Sequence, residues 1–176
     1  MTEQRSPTKH SAYVLLAISL GLFGGPSTPA MAAGSTLTMQ KAVALAAPDS
    51  ANEAIRKECR IEVGMADLIA IHASLPFEKV VRVDRVSSDL PGKVLALTIV
   101  KVSALGGGRF TGSKHITMEG TLWDNGQVVG SFRGRWEIGG AASACGSVSF
   151  LARSAGLDIG NWLLKPTVGA QFGNPS

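Results

Sequence analysis

The segment from Phe110 to Ile138 constrains the fold more than any other, because it reads as two alternating strands around Asp124-Asn125-Gly126. In the first strand Phe110, Ile116, Met118 and Leu122 share one face, while Thr111, Ser113, His115, Thr117, Glu119 and Thr121 share the other. In the second strand Val128, Phe132, Trp136 and Ile138 oppose Arg133, Arg135 and Glu137. Alternation with period two marks a strand that buries one face. A two-residue Asn-Gly turn would set Met118 against Arg133. A three-residue loop with Gly126 left-handed instead pairs Met118 with Phe132 and Leu122 with Val128. A one-residue slip turns every side chain over, so the apolar-on-apolar register is expected. It places Thr117 opposite Arg133 and His115 opposite Arg135.

The apolar face needs a roof, and the next segment supplies one. Cys145, Val148, Ala152, Ala155, Ile159 and Trp162 recur at steps of three and four, the stripe of an amphipathic helix that Lys165-Pro166 ends. Upstream, Ser50-Ala51-Asn52-Glu53 has the spacing of a capping box, and a helix is expected between 51 and 74. Ile61, Met65, Leu68, Ile69 and His72 lie along one side of it, Gly64 is a candidate break and Pro76 ends it. Lys79 to Val86 and Val94 to Ala104 read as strands separated by the turn Asp89-Leu90-Pro91-Gly92. The expected architecture is α+β: an N-terminal helix, an antiparallel meander of three or four strands, and a C-terminal helix on one sheet face.

Residues 1–32 read as an export signal. Arg5 and Lys9 precede the apolar run Ala12 to Phe23, and Ala30-Met31-Ala32 offers small residues for cleavage near Ala32. A run that short cannot cross a hydrocarbon core of ~30 Å, so no transmembrane anchor is expected after cleavage. Residues 33–50 are expected to form an extended lead-in with a short helix at Met39 to Ala46, 51–165 one α+β domain, and 166–176 a flexible tail. The expected location is the periplasm or the exterior. There an isolated pair of cysteines forms a bridge, so Cys59 and Cys145 are expected to join the two helices. By the chain-entropy relation a loop of this length contributes at most about 4–5 kcal/mol.

Composition narrows the chemistry. The formal net charge of +4 is small, and Arg56, Lys57 and Arg60 alternate with Glu53, Glu58 and Glu62, so nucleic-acid binding is not expected. No P-loop, GxSxG or CxxC occurs, and His72 and His115 sit at no metal-ligand spacing, so neither cofactor nor metal is expected. His115 with Ser113 and Glu119 on one strand face resembles a hydrolase set, but neighbours two and four apart lie about 7 and 13 Å away, too far for a relay.

One feature suggests binding. If even-numbered positions face the helices throughout, Leu95, Leu97 and Ile99 fall on the far face beside the row of His115, Thr117, Arg133 and Arg135. Such an apolar row needs a cover, either the segment 37–45 or a partner.

Strand, glycine loop, long strand, DNG turn, strand and a cysteine-led helix ending Asp158-Ile159-Gly160-Asn161-Trp162-Leu163 form a recurring pattern over residues 79–164, with Gly120, Gly126 and Gly130-Ser131-Phe132 as further cues. The pattern resembles uncharacterised bacterial envelope families related to the periplasmic modules of the curli secretion lipoprotein and to the N-terminal domain of the Tol-system propeller protein. The resemblance implies envelope domains that bind other proteins and carry no catalytic residues. This chain lacks their lipidated cysteine. The expected function is therefore contact with another envelope protein or with a second copy, without catalysis. The alternatives are binding of anionic envelope components through Lys114, Arg133 and Arg135, and a small hydrolase using His115 or Glu119.

Overall fold

A computed structural model describes residues 35–104, 113–139 and 143–173. The segment read as an export signal, the glycine loop with Phe110, and the last three residues lie outside the described residues. In order along the chain come β1 (Thr36–Gln40), β2 (Ala44–Leu45), α1 (Glu53–Cys59), α2 (Ile61–Ala73), β3 (Lys79–Val83), β4 (Lys93–Ser103), β5 (Lys114–Asp124), β6 (Gln127–Ile138), α3 (Ala144–Leu164) and β7 (Ala170–Gly173).

The fold is α+β, but the sheet is not the expected meander. Among the described residues it holds seven strands, ordered β3-β1-β4-β5-β6-β7 with β2 also on β4. β4, β5 and β6 pair antiparallel, whereas β1 with β3, β1 and β2 with β4, and β6 with β7 are parallel. Two strands precede the first helix. The lead-in that was expected to be loose or helical supplies β1 and β2, and the tail expected to fray supplies β7. Parallel neighbours need a crossover. The pair α1/α2 carries the chain from β1 to β3, and α3 carries it from β6 to β7.

β1 and β2 lie end to end along β4. β1 pairs with Lys93 to Leu95 and β2 with Thr98 and Ile99. Between them the Gln40 side chain donates from Nε2 to the Leu97 carbonyl at 2.5 Å and accepts from the Leu97 N–H at 3.3 Å. The amide takes the place of a missing peptide unit, so Gln40 is buried yet satisfied.

Asn52 caps α1 by accepting from the Ile55 N–H at 2.8 Å. The break between α1 and α2 falls at Arg60, whose φ of 48° is left-handed, and Gly64 lies inside α2. Ser143 caps α3, which stops before Pro166. The stripe read from the sequence is its buried face, with Val148, Ala152, Ala155, Ile159 and Trp162 all inside. The Cys59–Cys145 disulfide is present, with Cα atoms 5.1 Å apart, and ties the end of α1 to the first turn of α3. From that bridge α2 and α3 run side by side in the same direction. Gly156 packs on Leu68 and His72, and Gly160 packs on His72, where absent side chains let the backbones approach.

The hairpin corrects the expected register. Asn125 and Gly126 form a two-residue turn, both with positive φ, and the strands pair Met118 with Gly134, Gly120 with Phe132 and Leu122 with Gly130. A shift beyond Leu122 absorbs Val129 and restores the phase. The assignment of faces survives because the net slip from the expected register is two residues. Gly120, Gly130 and Gly134 leave room on the buried face for the rings of Phe132, Trp162 and Trp136. Phe172 of β7 completes the aromatic cluster.

Candidate functional site

The predicted binding face divides in two. Leu95, Leu97 and Ile99 stand opposite Leu122, Gly120 and Met118, on the face that packs against the helices, and all three are buried. The expectation that they line the polar face is therefore wrong. From Lys93 to Ile99 odd-numbered residues of β4 match even-numbered residues of β5, and an irregularity between Ile99 and Lys101 restores like-with-like parity from Lys101 to Ser103. Neither a partner nor the segment 37–45 is needed to cover them. β1 and β2 extend the sheet sideways instead of lying across its face.

His115, Thr117, Arg133 and Arg135 do share the other face, each displaced by one pair from the expected register. His115 lies opposite Glu137, Thr117 opposite Arg135, and Glu119 opposite Arg133. Arg133 forms an ion pair with Glu119, and Arg135 contacts Glu137 at 3.0 Å. Both arginines expected to attract anions thus already face carboxylates. Lys114, the third cation of that reading, is only 1% exposed. Partial burial, with help from Arg135, holds the His115 imidazole below its ordinary titration range, and Glu137 opposes this. Glu137 is itself held low, first by a hydrogen bond from Ser113 and then by Arg135. His115 Nδ1 is buried with no hydrogen-bond partner among the described residues. Glu119 is engaged by Arg133, and no carboxylate among the described residues bonds the ring at Nδ1. Among the described residues no cluster of three His, Cys, Asp or Glu side chains is placed to hold a metal.

A second surface carries the chemistry that sequence reasoning missed. On the outer side of the helical layer Leu68, His72, Arg153, Ser154 and Leu157 line an open cleft of ≈ 410 Å³ between α2 and α3. On α3 the lining residue Leu157 is 49% exposed, and Phe150 and Leu164, seven residues to either side on the same face of the helix, are 55% and 61% exposed. Beside the cleft Ile71 on α2 and Leu75 just past its end are 63% and 69% exposed. The signal was present in the sequence, since large apolar residues at 150, 157 and 164 repeat every seven positions outside the core stripe. His72, expected to cap or rim its helix, forms the floor of the cleft against Gly156 and Gly160.

No family model matches the chain. No curated protein matches it either. Among solved structures it is similar to the PelC dodecamer from Paraburkholderia phytofirmans, at 17% identity and a TM-score of 0.47, over 74% of this chain and 92% of that one. It is also similar to a point variant of the same dodecamer, at 15% identity and a TM-score of 0.46, over 76% and 94% of the two chains. Both are PelC chains, not the curli or Tol modules expected from the sequence, and at these TM-scores the likeness carries no further argument.

Proposed function

We propose that this chain is an exported, non-catalytic domain that acts by protein contact through the outer face of its helical layer. The observation that carries the reading is the cleft between α2 and α3, lined by Leu68 and Leu157, with Ile71, Leu75, Phe150 and Leu164 more than half exposed on the same two helices and at the end of α2. Contiguous apolar surface of that kind is what soluble proteins keep for partners. The polar sheet face supports the same reading by subtraction, because its two arginines are matched by carboxylates. An anionic ligand would have to displace those carboxylates. Export is proposed from the basic, apolar and small-residue order of residues 1–32, and the Cys59–Cys145 bridge suits an oxidising compartment.

The test is a photo-crosslinking amino acid placed at position 157, and in a second variant at position 133, in intact cells. A discrete protein adduct from position 157 and none from 133 is expected. Adducts from 133 alone would move the contact to the sheet, and none from either would end the contact reading.

A further inference from the structure

We infer that the occupant of the α2/α3 cleft is a second copy of this chain, seated with α3 against α3 about a two-fold axis at Leu157. This inference rests on the contact reading above and names its partner. Phe150, Leu157 and Leu164 are spaced by seven, close to two turns, so they share one face of the helix. The stripe is also symmetric about its centre. Turned antiparallel on itself, it places Phe150 against Leu164 of the second copy and Leu157 against its own equivalent. A two-fold interface requires self-matching of this kind.

Charge permits the arrangement. Arg153, the basic residue lining the cleft, falls level with Asn161 of the second copy, and four residues from the axis on each side put the two Arg153 α-carbons about 12 Å apart along the helix. Antiparallel α3 helices also bring opposite ends of their dipoles together. The area is of the right order. Ile71, Leu75, Phe150, Leu157 and Leu164, at the exposures given, offer roughly 500 Å² of apolar surface, well over half of the ~800 Å² each partner contributes to a standard interface. Leu68, Arg153 and Ser154 lie at hand to widen the contact.

The test is sedimentation equilibrium on the oxidised chain without residues 1–32, between about 1 and 100 μM, the weaker end of the range for interfaces of this size. A two-chain mass is expected. Leu157→Glu should weaken association by at least about a hundredfold, by opposing two carboxylates at a desolvated axis, with circular dichroism unchanged and a melting temperature equal to that of the parent at concentrations where the parent is a single chain. Leu157→Cys should give a covalent dimer on mild oxidation, since only a two-fold seam brings that position against itself. A one-chain mass throughout, or an assembly of any size that survives Leu157→Glu, overturns the inference. An in-cell adduct from position 157 to a different protein, with the purified chain monomeric, also overturns it yet leaves the contact reading standing. No adduct at all removes both.

Discussion

The hairpin of β5 and β6 presents two faces built from alternate residues of the same two strands, and they hold together by different means. Toward the helices, glycines at 120 and 134 open spaces that the Phe132 and Trp136 rings fill. Trp136 Nε1 donates to Asp158 of α3 at 2.8 Å, and Phe132 meets Trp162 edge to face at 5.1 Å. Toward water, Arg133 with Glu119 forms a half-exposed pair and Arg135 with Glu137 one about 30% exposed. Buried packing contributes kilocalories per side chain, whereas solvated ion pairs contribute tenths. Cohesion therefore comes from one face, and the other is left free to vary in charge.

The sharpest break in that contrast is Gly134→Val. Its β-carbon would fall within the Trp136 ring, which burial and the Asp158 bond prevent from swinging away. A loss of about 3 kcal/mol or more is expected from the shift in denaturant midpoint, and a smaller loss for Gly120→Val would show that Phe132 yields more easily. Phe132→Ala should cost about 3 kcal/mol by leaving a cavity among Trp162, Phe172 and Gly120. Trp136→Phe keeps most of the ring but strands the Asp158 carboxylate, and about 1–2 kcal/mol is expected.

On the polar face the expected changes are small. Arg133→Gln and Glu119→Gln should each stay within about 0.5 kcal/mol of the parent in urea unfolding, because both partners are about half exposed. A loss above 1 kcal/mol would mean that this face also contributes to cohesion. The finest distinction is in pH. His115 titrates below its ordinary 6.5 when folded, so under acidification the unfolded chain takes up that proton first and stability falls as pH drops below 6.5. Glu137 is also held below its ordinary 4.5, and stability falls further as pH drops below that value. His115→Gln should flatten the upper window of a stability–pH curve and leave the lower one intact.

What the sequence made legible was local. The two hairpin faces, the α3 stripe and its stop at Pro166 follow from periodicity within one element, and the disulfide follows from two cysteines and the expected compartment. The parallel strands were not legible. β1 and β7 are short segments whose partners lie across a helical crossover, so nothing local announces the pairing. The placement of Leu95, Leu97 and Ile99 failed for another reason. Which parity of β4 meets which parity of β5 depends on the connection between the strands, and neither strand alone encodes it. Hence the polar half of the candidate face was found, while its apolar half proved to be core and a different apolar surface stood outside.

The amide of Gln40 has a consequence for how this edge of the sheet tolerates change. Since one side chain spans the gap between two short strands, its length acts as a ruler. Asparagine is a methylene too short to reach both groups of Leu97, and glutamate would offer an acceptor where the carbonyl needs a donor. The exposed positions 41 and 42 of the bend can thus drift in composition, while buried Val43 stays apolar and position 40 keeps the two halves aligned on one neighbour.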